Sequence, residues 1–109
     1  MVVNVVGLTP QMVDGRMPNL QALAAAGFQA ELGTVLPAVT CSAQATMLTG
    51  SLPSEHGIVG NGWYSRELAE IQMWKQSNHL VGGEKIWDKG RARDADFTCA
   101  KLFWWYNMY

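Results

Sequence analysis

One residue in this chain has the type and placement to do chemistry: Thr40. Thr40 follows Pro37-Ala38-Val39, which reads as the end of a strand, and precedes a run of small and apolar residues that Gly50 stops. That pattern predicts a helix over residues 42–49 with Thr40 beside its N-terminus, where free N–H groups and the helix dipole favour an oxyanion. A threonine alkoxide held there can attack phosphorus in line, provided a metal ion lowers its pKa. The same placement also suits a threonine that only caps the helix. Asn61, between Gly60 and Gly62, has a plain reading as well, as a turn residue tolerating positive φ.

The elements that must position these residues follow from the pattern along the chain. Residues 2–6 are a β-branched apolar run broken only by Asn4, and predict a buried strand that turns at Gly7-Leu8-Thr9-Pro10. Pro18 to Ala26 places Leu20, Leu23 and Ala24 three and four apart and is followed by Gly27, which predicts a helix. Residues 28–36 predict a second strand, closed by Pro37. Residues 53–64, with Pro53, Gly57, Gly60 and Gly62, read as a loop that lets backbone approach something closely. A helix over residues 84–93 and a strand over 98–105 complete the series. This order predicts an α/β fold of three layers, α/β/α, around a mainly parallel sheet.

Composition narrows the classes. Apolar residues make up 49% and charged residues 16%, which suits a globular chain rather than a disordered one. Eight basic residues against nine acidic ones give no nucleic-acid surface. No stretch approaches a membrane span. Cys41 and Cys99 are isolated, and Met1 to Val6 has no basic leader or small-residue cleavage site, so the chain reads as cytoplasmic. The 109 residues suit one domain, and the uncharged aromatic run Leu102-Phe103-Trp104-Trp105-Tyr106-Asn107-Met108-Tyr109 suggests a polypeptide that continues. The five tryptophans, all in the second half, read as core rather than as a protein-binding surface.

Several short motifs together resemble the nucleotide pyrophosphatase/phosphodiesterase branch of the alkaline phosphatase superfamily. They are Met17-Pro18-Asn19-Leu20, Thr40 after its proline-containing strand end, Thr49-Gly50-Ser51-Leu52-Pro53, and His56-Gly57-Ile58-Val59-Gly60-Asn61. Gly82-Gly83-Glu84-Lys85-Ile86-Trp87 and Phe103-Trp104-Trp105 resemble the family's next helix and strand, so the likeness spans nearly the whole chain. The 21 residues from Thr40 to Asn61 match the family's interval between nucleophile and phosphate-binding asparagine. The resemblance implies the N-terminal part of an alkaline phosphatase-like catalytic domain that hydrolyses phosphodiester or pyrophosphate bonds. Thr40 is then the nucleophile and a metal ligand, with two zinc ions as cofactors and a small phosphorylated molecule as substrate. The Cys41 backbone N–H and the Asn61 amide would hold the non-bridging phosphate oxygens. His56 reads as structural, bonding backbone in its glycine-rich loop, and His79 as a solvated loop residue.

One position departs from the family. The aspartate expected before Gly7-Leu8, where it binds metal, is Val6 here. Asn4 lies two residues back on the same face of the expected strand, about 6–7 Å deeper in the sheet. Asp14, in Asp14-Gly15-Arg16, falls eight residues late. These two are the substitute ligands within the chain, and the others would lie beyond Tyr109. The segment alone is therefore expected to be inactive. The competing reading is a catalytically inactive relative that uses its phosphate pocket for binding.

Overall fold

The computed structural model describes residues 1–108, which fall into two compact units, Met1–Gly33 and Thr34–Tyr109. The first unit holds a short 3-10 turn at Pro10–Met12 and helix α1, Pro18–Ala26. Proline at the first helical position costs no hydrogen bond there, and the Gly27 N–H closes the last turn on the Leu23 carbonyl. No residue of this unit is buried.

The second unit is built around helix α2, Thr40–Thr49. Cys41, Gln44, Ala45 and Leu48 recur at helical spacing and form its buried stripe. Gly50 ends the helix at φ 71°, a left-handed cap that glycine adopts without penalty. A single turn of helix, α3 (Pro53–His56), follows, with the Glu55 carboxylate accepting from the Leu52 N–H. Strands β1 (Gly62–Ser65) and β2 (Glu70–Met73) then pair antiparallel, with Gly62 opposite Met73 and Ser65 opposite Glu70. Helix α4, Ile86–Arg93, closes the series, its N-terminus capped by the Asp88 carboxylate on the Lys85 N–H at 3.1 Å. Cys41, Ala45, Leu48, Ile58, Val81, Trp87 and Tyr106 form the core, and Trp63, Trp104 and Trp105 pack against it. Five aromatic side chains of the second half thus serve as core or its margin.

Helices and strands are both present, as an α/β chain requires, but the sheet differs from the sequence expectation. Among the described residues the one sheet is the two-stranded antiparallel hairpin β1–β2. A single parallel bridge joins Ser77 and Met108. The expected strands at 2–6, 28–36 and 98–105 are irregular. The reasons are physical. β-Branched residues favour a pleated surface that a neighbour buries, and Val2, Val3, Val5 and Val6 are all exposed, without a strand beside them. In the last segment, Phe103 and Tyr106 sit at φ 56° and 60°, in the left-handed region where a strand cannot continue. The loop expected over 53–64 contains α3 and the start of β1.

The hairpin depends on one glycine. A Cβ on Gly62 would run into the Met73 side chain and come within 2.9 Å of the Gln72 carbonyl oxygen. Gly62→Ala is therefore expected to destabilise the chain by about 1–3 kcal/mol, read as a lower denaturation midpoint at unchanged slope. A midpoint equal to wild type would show that the strand pair shifts freely.

Candidate functional site

Thr40 is the first residue of α2, and the N-cap before it is Val39, whose side chain has nothing to cap with. The first bond within the helix runs from the Ala43 N–H to the Val39 carbonyl at 3.0 Å. The N–H groups of Thr40, Cys41 and Ser42 therefore have no partner inside the helix. One of them is capped from far along the chain: the Cys41 N–H donates to Asn61 Oδ1 at 2.9 Å. Asn61 is held in turn from the hairpin side, its carbonyl accepting from the Trp74 N–H at 2.9 Å.

This bond settles the orientation of the Asn61 amide on chemical grounds. Its oxygen faces an N–H donor, so its NH2 group is the end left to donate elsewhere. Asn61 is also absent from the residues at positive φ, so the conformational reason for an asparagine in a glycine-rich turn does not apply. The structure thus brings Thr40, Cys41 and Asn61 to one helix end. It differs from the sequence expectation in one respect: the Cys41 N–H is engaged with Asn61 rather than left for a ligand. A backbone donor that meets a side-chain acceptor in a part-buried site is satisfied there and has no need of one.

Besides Thr40, the other hydroxyl and the thiol at this helix end are both buried. Ser42 Oγ donates back to the Pro37 carbonyl at 2.5 Å and is buried. Cys41 is fully buried, and burial pushes its thiol pKa up, so it stays protonated and unreactive. Its sulfur faces Tyr106, whose hydroxyl is buried without a hydrogen bond of ordinary geometry and whose pKa burial also raises.

His56 is structural. It is buried, its Nδ1 accepts from the Ile58 N–H at 3.1 Å, and its Nε2 meets Thr46 Oγ1 at 3.0 Å. With Nδ1 an acceptor, the proton lies on Nε2 and is donated to Thr46. Burial lowers the pKa, and the Glu55 carboxylate opposes that shift in part. Since the folded value lies below the unfolded one, the unfolded chain binds the proton more readily. The stability His56 provides is full above about pH 6.5 and is lost as pH falls towards the lowered folded value. The unfolding midpoint of wild type should drop over that range, and that of His56→Gln should drop less. Equal slopes would assign the effect to other groups. His79, the other histidine of the sequence, is exposed.

Asn4 and Asp14, the substitute metal ligands expected from the sequence, lie in the first unit. Asp14 is clamped by Arg16, whose Nε and Nη2 donate to its carboxylate at 2.7–3.1 Å. Those bonds hold its pKa below the usual carboxylate value. Asn4 is exposed in an irregular segment, so the strand face on which it was expected does not form. Among the described residues no group of three or more His, Cys, Asp or Glu side chains is placed to hold a metal ion. These residues do not by themselves fit a resident metal, and no ligand set involving Thr40 forms within them.

Sequence reasoning missed how the tail of the chain is tied down. The Gln44 side chain, buried on α2, accepts from the Trp105 N–H at 2.8 Å. The available signal was a glutamine on an otherwise apolar helical stripe between Cys41 and Leu48.

A hydroxyl at a helix N-terminus with a side-chain amide capping the same turn suits an anionic group. The chain belongs to the type I phosphodiesterase / nucleotide pyrophosphatase family, which it matches over residues 1–109. A stretch of 35 residues is 49% identical to alkaline phosphatase PafA of Elizabethkingia meningoseptica. That stretch is 32% of this chain and 6% of the relative's length. No solved structure matches the chain. The family is one of phosphoester hydrolases that generally use divalent metals. No helix among the described residues is long and apolar enough to cross a membrane.

Proposed function

We propose that the protein hydrolyses phosphodiester or pyrophosphate bonds of a small phosphorylated substrate, with Thr40 as nucleophile. The observation that carries this reading is the Cys41 N–H to Asn61 Oδ1 bond, which fixes the Asn61 NH2 at the helix end where Thr40 begins. Thr40 Oγ forms a bond to phosphorus, the bond to the leaving oxygen breaks, and water then hydrolyses the phospho-threonine. The Asn61 NH2 donates to a non-bridging oxygen as charge builds there, and the α2 dipole favours the same charge. The Cys41 N–H acts one step removed, by holding the Asn61 amide in place.

A divalent metal, two zinc ions by the family resemblance, would supply the charge that favours a threonine alkoxide. Thr40 would be its one ligand from the second unit, and the remaining ligands are proposed to lie beyond Tyr109. The longer chain would complete a three-layer α/β/α domain with a mainly parallel sheet. The 109 residues alone would not turn over, and a cytoplasmic location fits the sequence reading.

Val6 in place of the family's first-strand aspartate favours a second reading, a relative that binds phosphate without cleaving it. Assays of the full-length protein on an aryl phosphodiester, inorganic pyrophosphate and an aryl monoester, with zinc present, separate the two. Turnover of the diester or of pyrophosphate is the expected result. Tight phosphate binding without turnover of any of the three would establish the binding reading.

A further inference from the structure

Away from Thr40 the second unit carries a polar cavity of about 480 Å³ lined by Asn78, His79, Lys85, Trp87, Asp88, Arg91 and Lys101. Its size falls in the range of small-ligand pockets, roughly 300–1,000 Å³. Three cationic side chains face a single carboxylate in it, although the chain as a whole carries a net charge of −1. That carboxylate, Asp88, already accepts from the Lys85 N–H at the start of α4.

Two of the cations are held in place rather than loose in solvent. Lys85 is half-buried and its Nζ donates to the Val81 carbonyl at 2.7 Å. Lys101, also half-buried, sets its Nζ 4.4 Å from the centre of the Trp87 ring, whose own burial shields that face from water. Arg91 stands one turn further along α4 and adds a planar fork suited to oxyanions. Neither lysine has a carboxylate partner, since the one ion pair among the described residues joins Arg16 and Asp14.

The residues that line this cavity include none of Thr40, Cys41 and Asn61. Lys89 of α4 lies with its Nζ 3.5 Å from the Thr49 carbonyl, at the C-terminal end of α2. Thr40 begins the other end of that helix, about 15 Å away at 1.5 Å per residue.

We propose that this cavity is an accessory site for a small, multiply charged oxyanion of the diphosphate class. Lys85, Arg91 and Lys101 neutralise it, and Asn78 and His79 offer further polar contacts at the rim. A diphosphate suits the site because its oxygens can engage several cations at once, each charge-assisted bond being stronger than a neutral one. The reading holds whether or not Thr40 is a nucleophile.

The test is calorimetric titration of the full-length protein with methylenediphosphonate, which cannot be hydrolysed at its bridge. Wild type should show saturable binding that weakens as salt rises. Lys101→Met combined with Arg91→Gln should lose at least about tenfold in affinity. Lys101→Arg, which keeps the cation over Trp87, should stay near wild type and controls for loss of fold. Asn61→Asp, which perturbs the Thr40 site, should leave this binding in place. Absence of saturable binding, unchanged affinity in the double variant, or loss of all binding in Asn61→Asp would each overturn the proposal. So would a Lys101→Arg variant that is folded by circular dichroism yet binds as poorly as the double variant.

Discussion

Thr40→Ala in the full-length protein is expected to lower phosphodiester turnover by at least about a thousandfold, as removal of a covalent nucleophile does in other hydrolases. The fold should be untouched. The α2 N-terminus is capped on the Cys41 N–H by Asn61, and Thr40 supplies no side-chain cap, so thermal stability should stay near wild type. Thr40→Ser, which keeps a hydroxyl at the same helix position, should retain measurable turnover. Turnover in Thr40→Ala within tenfold of wild type would remove Thr40 from the mechanism.

Asn61→Asp separates holding from catalysis. A carboxylate still accepts from the Cys41 N–H, and the positive end of α2 favours its charge, so stability should be kept or slightly raised. The substitution removes the NH2 donor and sets a negative charge against the phosphoryl oxygens. Loss of one such donor costs about a hundred- to a thousandfold, and repulsion adds to it. In Asn61→Ala both functions go, with about 1 kcal/mol of stability lost along with activity. Comparison of kcat/KM and Tm across the two variants is the check. An active Asn61→Asp enzyme would mean that Asn61 is only a helix cap.

Local signals proved readable where the chain's own neighbours decide structure. Pro18 and Gly27 bound α1 as expected, and the run of small and apolar residues stopped by Gly50 marked α2, which begins two residues earlier than its expected start at Ser42. Helix α4 begins at Ile86 rather than 84 because Lys85 takes the N-cap position and Asp88 caps it. The strands were not readable, for a matching reason. A parallel strand is made by its neighbours, and β-branched residues such as Val2 to Val6 give a preference without a partner. The hairpin β1–β2 escaped because Gly62 was read as loop backbone, whereas its missing side chain is what admits Met73.

At the site, the interval from Thr40 to Asn61 was matched through the family resemblance, and the structure brings Asn61 Oδ1 to the N–H of Cys41, the residue after Thr40. The interval did not tell how they meet. A hydrogen bond between Cys41 N–H and Asn61 Oδ1 depends on the orientation of one amide, which no spacing encodes. Likewise the histidine at 56 looked structural from its place in the loop, but its partner Thr46 lies ten residues away on α2.

The most direct measurement is chemical capture of the phosphoryl group. The full-length protein, mixed with a phosphodiester or pyrophosphate substrate and quenched in acid within the first turnovers, is digested and its peptides are weighed by mass spectrometry. A single added phosphoryl group on the Thr40 hydroxyl, absent in Thr40→Ala, is the predicted result. Turnover in a sample whose phosphoryl group sits on another residue would contradict the assignment of Thr40 as the nucleophile.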